Sequence, residues 1–179
     1  MAAGSVGLIP LVCLRCKAPI PARTDEIAWV CAQCGQGQVL DTQKGLQPQV
    51  VHYSSQIKPG ATGRPFWVAD GRAAVERATF SGDYNPQARK YWGQPRRFFI
   101  PAFTCPLDVL VQLGAGWLDN PPDLQEGPPA DFAAITLPPG DAAALAEFII
   151  VGVEAARPDK LKEIQLTLEL SAPQLWILP

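Results

Sequence analysis

Several features that would point to a particular function are scarce in this chain of 179 residues. It has one histidine, so a histidine-rich metal site is excluded. The longest apolar run after the N-terminal segment, residues 148–153, is far shorter than the roughly 20 residues that a helix needs to cross a bilayer. Fifteen basic against seventeen acidic residues give a net charge of -2, which provides no overall field for nucleic acid or for an anionic membrane. Binding of that kind would need a local patch.

Catalytic motifs are missing as well. The chain has no GxSxG nucleophile motif, and residues 114–116 (Gly-Ala-Gly) lack both the third glycine of a dinucleotide-binding loop and the Gly-Lys-Ser/Thr of a P-loop. His52 lies in a segment with strand character, and Cys105 has no histidine near it in sequence, so we interpret both as structural residues. We therefore expect a protein that is not an enzyme.

Targeting signals are not recognisable either. The short apolar stretch at residues 6–14 has no Lys or Arg ahead of it and is broken by Gly7 and Pro10, so it does not have the pattern of a secretory signal. We expect a cytoplasmic protein with no insertion into a membrane.

The composition is that of a folded chain with short elements. Apolar residues make up 47% and charged residues 18%, which is enough apolar side chain for a packed core. Nineteen prolines and fifteen glycines indicate many turns and argue against a bundle of long helices.

Four of the five cysteines form two close pairs, Cys13 with Cys16 and Cys31 with Cys34, in the pattern CxxC-x14-CxxC. Two intervening residues let one tight turn present both sulfurs to the same ion, and a hairpin between the pairs brings the second turn opposite the first. Gly35, directly after the second pair, permits the positive φ that such a turn often needs. The pattern predicts a tetrahedral site of four sulfurs with no vacant position for a reactive water.

Residues 11–40, with these two CxxC pairs and Gly35, resemble the zinc-ribbon family of small β-hairpin modules. Lys17 stands where many members of that family have glycine. The resemblance implies a β-hairpin fold and one Zn²⁺ per chain, and it does not imply any one activity. A mononuclear iron site with the same ligands and a dithiol redox pair remain alternatives for the four cysteines.

For the whole chain we predict an α+β fold with a domain boundary near residue 45. A zinc ribbon is expected at 1–45, and a mainly antiparallel β domain with one or two helices is expected at 46–179. Asp70-Gly71 predicts a two-residue hairpin turn, and the segment after it, residues 72–80, is compatible with a strand or a helix. The C-terminal residues 175–178 are apolar on both faces and predict a covered strand or a docking segment. Further predicted strands lie at 49–57, 64–69, 97–103 and 163–170, and predicted helices at 106–118 and 141–156.

Charge is unevenly distributed, because residues 60–100 carry seven bases against three acids and residues 101–179 carry three against eleven. The basic segment mixes cations with aromatic rings that could stack on bases, bind a protein, or be used inside the fold. The candidate binding residues are Arg89, Lys90, Tyr91, Trp92, Arg96 and Arg97.

The function that these features favour is that of a non-enzymatic, zinc-binding accessory or assembly protein that acts through protein–protein interaction. A nucleic-acid-binding or transcription-related zinc-ribbon protein that uses the basic segment is the alternative, and a small enzyme or redox protein is a third hypothesis. The partner is expected to be another protein or complex.

Overall fold

The computed structural model describes residues 10–179, which form two β-sheets and three α-helices. The predicted α+β class is confirmed. Residues 6–9 of the apolar stretch at 6–14, from which we expect no secretory signal, lie outside the described residues. The first sheet, called the N-terminal sheet, is antiparallel in the order β1-β2-β3 and consists of β1 (Ala28–Val30), β2 (Gly37–Asp41) and β3 (Gly45–Pro48).

The second sheet, called the main sheet, has five strands in the order β4-β8-β5-β6, with β7 beside the far half of β5. All of its pairings are antiparallel except the parallel pair β4 and β8. Its strands are β4 (Val51–Tyr53), β5 (Arg64–Thr79), β6 (Arg96–Pro101), β7 (Leu161–Leu170) and β8 (Gln174–Leu178).

The prediction of a hairpin turn at Asp70-Gly71 is wrong, because both residues lie in the middle of the 16-residue strand β5. At this point β5 changes partners: Gly71 is paired with β6 on one side and begins the pairing with β7 on the other. A Cβ on Gly71 would lie 2.6 Å from the carbonyl oxygen of Glu169, so the glycine permits a close approach of two strands rather than a turn. Residues 72–79 accordingly continue the strand.

Three α-helices accompany the main sheet: α1 (Asn85–Trp92), α2 (Leu107–Leu118) and α3 (Ala142–Ala155). A short 3₁₀ turn, Pro139–Asp141, leads into α3. Helix α1 had no counterpart among the predicted helices because only Ala88 and Trp92 are buried along its eight residues, which is too sparse an apolar pattern to read. No helix within residues 10–179 has the length and apolar character needed to cross a bilayer.

The C-terminal residues form a covered strand. Leu175, Ile177 and Leu178 are fully buried in β8, which lies between β4 and β5. Of the two predictions for this segment, the covered strand is confirmed, and the segment has no exposed face left for docking.

An extended segment between α2 and α3 ties the N-terminal sheet to the main sheet. One β-bridge joins Glu126 to Ser54, the residue that follows β4, and another joins Ile135 to Ala28 of β1. The backbone N–H of Ile27 donates to the carbonyl of Ile135 at 2.9 Å, and Ile135 is buried with Ala28 and Val39 in the large core beneath the helices. The N-terminal sheet is therefore packed on the main core. The division into 1–45 and 46–179 stays a prediction.

Candidate metal centre

The first CxxC pair lies in a tight turn closed by backbone hydrogen bonds. The N–H of Cys13 donates to the carbonyl of Ala18 at 2.8 Å, and the N–H of Lys17 donates to the carbonyl of Cys13 at 3.0 Å. Lys17 has a φ of 62°, so it takes the left-handed conformation that glycine adopts more readily. The departure from the zinc-ribbon pattern at Lys17 thus leaves the turn intact.

The second pair repeats the same turn. The N–H of Cys31 donates to Gln36 at 2.9 Å, and the N–H of Gly35 donates to the carbonyl of Cys31 at 2.8 Å. Gly35 has a φ of 72°, close to that of Lys17, so each turn needs one left-handed residue directly after its second cysteine. The matching backbones present the two sulfur pairs to each other.

The four thiols meet at one point. Sγ of Cys13 lies 3.5 Å from Sγ of Cys34, Sγ of Cys16 lies 3.5 Å from Sγ of Cys31, and all four sulfurs lie within 4.8 Å of one another. Four sulfurs at a zinc–sulfur distance of about 2.3 Å in a tetrahedron would be separated by roughly 3.8 Å. A disulfide would need about 2.05 Å. The predicted ligand set is thus brought together, and it could hold a metal ion.

Backbone amides within the turns favour the thiolate form at two of the ligands. The N–H of Cys16 lowers the pKa of Cys13 to about 6, and the N–H groups of Cys34 and Gln33 lower the pKa of Cys31. The N–H of Gln36 also lowers the pKa of Cys34, but burial and the three neighbouring thiols together raise it to about 12. The raised pKa of Cys34 opposes its deprotonation, and a bound cation is what would stabilise four thiolates side by side.

Gln38, which lies on β2, holds the first turn in place, and the sequence alone does not predict this role. Its side chain is fully buried, and its Oε1 accepts a hydrogen bond from the backbone N–H of Leu14 at 3.0 Å. Leu14 lies between the two cysteines of the first pair, so Gln38 fixes that turn against the hairpin that carries the second pair. A glutamine after a CxxC gives no signal of this contact in the sequence, because its partner lies 24 residues away.

Replacing Lys17 with glycine is expected to stabilise the first turn by up to about 1 kcal/mol, since glycine meets no steric penalty at a φ of 62°. Lys17 Nζ also donates to the carbonyl of Leu14 at 3.2 Å, and losing this exposed contact offsets little of the gain. Thermal unfolding of the metal-loaded protein, compared with Lys44→Gly in an exposed turn, measures the effect. A lower melting temperature for Lys17→Gly alone would contradict it.

The aromatic and basic candidates of residues 89–97 lie at different depths. Trp92 is fully buried, Tyr91 and Arg96 are partly buried, and Lys90 is exposed. The guanidinium of Arg96 lies 3.6 Å from the ring centre of Tyr91. Burial first, and then the hydrogen bond from its hydroxyl to Asp119, raise the pKa of Tyr91 to about 12.

The three arginines of this segment each face a carboxylate. Arg97 contacts Asp70 through two hydrogen bonds of 2.8 and 3.1 Å, Arg96 lies 3.3 Å from Asp119, and Arg89 is paired with Glu76. Arg89, as the hydrogen-bond partner, lowers the pKa of Glu76. These pairs join Arg89 and Arg97 to β5 and Arg96 to the end of α2, so much of the positive charge of the segment is balanced locally.

A buried ionic network, which the sequence did not reveal, lies under α1 at the end of α3. The side chains of Arg77, Glu154 and Asp159 are all buried. Arg77 binds both carboxylate oxygens of Asp159 at 2.8 Å and lies 2.9 Å from Glu154. Trp92 Nε1 and Arg157 Nε each donate to Glu154 at 2.8 Å. The network joins β5, α1 and α3, and its two cations match its two anions.

His52 and Cys105, which we interpret as structural residues, lie apart from the four cysteines. His52 stacks on Trp176 with ring centres 4.8 Å apart, and its Nδ1 lies 2.6 Å from Oε1 of Glu126. Cys105 is partly buried against the large core, where burial raises the pKa of its thiol. Within residues 10–179, the four cysteines form the one cluster of three or more His, Cys, Asp or Glu side chains close enough to share an ion.

Similarity to known proteins supplies no function for this chain. No protein-family model, no curated protein and no solved structure matches the chain.

Proposed function

We propose that the chain is a non-enzymatic zinc-binding accessory or assembly protein that works through protein–protein interaction. One Zn²⁺ per chain is held by Cys13, Cys16, Cys31 and Cys34 in a module of the zinc-ribbon type. The observation that carries the proposal is the convergence of four sulfurs within 4.8 Å on two matching turns. Four thiolates in a tetrahedron are a donor set that suits Zn²⁺, and they leave no coordination position for a catalytic water.

The surroundings of the centre support a structural role for the ion. Cys13, Ala18 and Cys31 form a separate small core, with Cys34 packed against it, and no large apolar side chain from residues 10–179 belongs to that cluster. A core of this size contributes little by itself, so a metal is what would hold the two turns together. Cysteines arranged to bind a metal rather than to form disulfides are typical of a reducing compartment, and we place the protein in the cytoplasm.

The nucleic-acid alternative has less support. The arginines at positions 89, 96 and 97 are engaged by Glu76, Asp119 and Asp70, so phosphates would have to compete with carboxylates that are already in place. Trp92 is buried and offers no ring face for stacking. If nucleic acid bound through this segment, its affinity would fall steeply as the salt concentration rises. Binding would be lost when Arg96 and Arg97 are changed to glutamate.

Metal analysis of the protein purified without added metal is expected to give one zinc per chain, and X-ray absorption is expected to show four sulfurs at about 2.3 Å. Reconstitution with Co²⁺ should give a coloured, tetrahedral thiolate complex that one equivalent of Zn²⁺ bleaches. Iron as the native metal, with a visible chromophore, would contradict the zinc assignment. A reversible disulfide between the pairs in the native protein would favour the redox hypothesis.

The accessory role is tested separately, by mild purification from the native cell and mass spectrometry of what co-elutes. A stoichiometric protein partner that remains bound at high salt is the expected result. Co-elution of nucleic acid that high salt removes would favour the alternative, and a zinc-loaded protein that carries no partner would contradict the accessory role.

A further inference from the structure

Helix α3 is apolar on the side that faces solvent as well as on the side that faces the main sheet. Ala146, Ile149 and Ile150 are buried on its inner side. Its outer side carries a row that we call the outer stripe, which consists of Ala144, Phe148, Val151 and Ala155. Phe148 is 49% exposed, and both alanines of the stripe are exposed. A helix that covers one side of a core normally has polar residues on the opposite side.

Helix α1 of the same protein shows that normal pattern. Its exposed residues Gln87, Arg89 and Lys90 are polar, while Ala88 and Trp92 face the core. In α3 the charged residues are Glu147 and Glu154, and Glu154 is fully buried in the ionic network. The apolar character of the outer side is therefore not a property of all helices of this fold. Helix α2 also exposes one large apolar residue, Leu107, at its first position, whereas in α3 the apolar residues form a row along the helix.

The spacing of the outer stripe suits the packing of another helix. Its residues follow one another at intervals of four, three and four, which keeps them on one line along the helix and is the spacing of a seam between two packed helices. The small side chains at 144 and 155 would let a second helix approach closely at both ends, and Phe148 would supply the large apolar contact between them.

The exposed charges of α3 and of its N-cap have one sign. Asp141, which is the N-cap, and Glu147 are exposed, and neither takes part in an ion pair within the described part of the chain. Arg157, the first basic residue after the helix, is paired with the buried Glu154. An apolar stripe with an acidic border is complementary to an apolar stripe with a basic border.

We infer that the outer stripe of α3 binds an amphipathic helix of a partner protein whose apolar face is flanked by Lys and Arg. The inference rests on the proposed function, since it names the surface and the kind of partner through which an accessory protein would act. Charge disfavours a second copy as the occupant, because two copies would bring their acidic borders together. The same border disfavours a surface of anionic lipid.

Two synthetic 21-residue helical peptides probe the surface on the full, zinc-loaded chain. Both carry leucine at the seam positions; one has lysine at the flanking positions and the other has glutamate. Fluorescence anisotropy is expected to show at least tenfold tighter binding of the lysine peptide. Phe148→Glu is expected to weaken that binding at least tenfold, whereas Phe80→Glu, at a phenylalanine that is 72% exposed elsewhere on the molecule, leaves it unchanged. Glu147→Lys is expected to reduce the ratio between the affinities for the lysine peptide and the glutamate peptide.

Several outcomes would overturn the inference. Equal binding of the two peptides, or a loss of binding that Phe80→Glu shares with Phe148→Glu, would remove the case for a specific surface. A dimer in sedimentation that Phe148→Glu dissociates would assign the stripe to a second copy. Phe148-dependent binding to vesicles of anionic lipid would assign it to a membrane.

The proposed function is tested separately, by asking whether a native protein co-elutes with the wild-type chain. If Phe148→Glu still retains that partner at full stoichiometry, the outer stripe is the wrong surface and the accessory function stands. If the zinc-loaded wild type has no partner at all, the proposed function itself fails. Zinc content and circular dichroism of each variant show that the protein being compared is folded.

Discussion

Replacing Cys31 with serine is expected to abolish stoichiometric zinc binding and to unfold the turns of the N-terminal sheet. A serine hydroxyl does not ionise at neutral pH and is a poor ligand for zinc beside three thiolates, so we expect the affinity to fall by at least about a hundredfold. Cys31 also lies in the small core with Cys13 and Ala18, to which the described part of the chain contributes no large apolar side chain. Zinc content, and hydrogen exchange of the backbone amides in β1 and β2, measure the two effects.

The matched control is Cys105→Ser, which removes the one cysteine that lies outside the cluster. It is expected to leave the zinc content at one per chain and the exchange of β1 and β2 unchanged. In the Cys31 variant the amides of β5 and β7 are expected to stay protected, because those strands are held by the large core. Retention of zinc and of amide protection in the Cys31 variant would disprove the assignment of the site.

The metal centre could be predicted from sequence because its ligands come from two short motifs. Two residues between cysteines determine a turn locally, and the second pair lies in the turn that joins β1 to β2. The hairpin expected between the two pairs is not formed, because the 14 residues there contain β1 alone. The strand β7 was equally readable, since strict alternation from residue 163 to 170 places Ile164, Leu166, Leu168 and Leu170 on one side. In both cases the information lies within a short window of the chain.

The features that could not be predicted depend on contacts between residues far apart in sequence. Asp70-Gly71 has the local signature of a hairpin turn, but partner strands on both sides hold it extended. Arg97 finds its carboxylate 27 residues away, and the partner of Arg77 is 82 residues away. Charge counts showed an excess of bases in one segment and of acids in another, and only the fold shows which of them meet.

Replacing Arg77 with methionine is expected to destabilise the protein by about 3 kcal/mol or more, because it leaves the buried carboxylate of Asp159 without its cation, whereas Glu154 keeps Arg157. For a chain of this length that corresponds to a fall of roughly 10 °C in melting temperature. Methionine keeps much of the apolar stem, so the change removes mainly the charge and the hydrogen bonds. The matched control is Arg72→Met on the same strand, where the ion pair to Glu169 is exposed and is worth less than about 1 kcal/mol.

The dependence on pH separates a lost charge pair from lost packing. In the wild type the hydrogen bonds from Arg77 lower the pKa of Asp159, so the stability that this pair contributes is fully present above the usual aspartate range and is lost as the pH falls through the lowered pKa. In the Arg77 variant the carboxylate of Asp159 has no such partner, and protonation relieves the cost of burying it. The difference in unfolding free energy between wild type and variant is therefore expected to be largest near pH 7 and to shrink towards pH 4, as measured by urea unfolding across that range. A difference that stays constant over the range would assign the loss to packing of the arginine stem, and a variant as stable as Arg72→Met would show that the network does not hold β5 to α3.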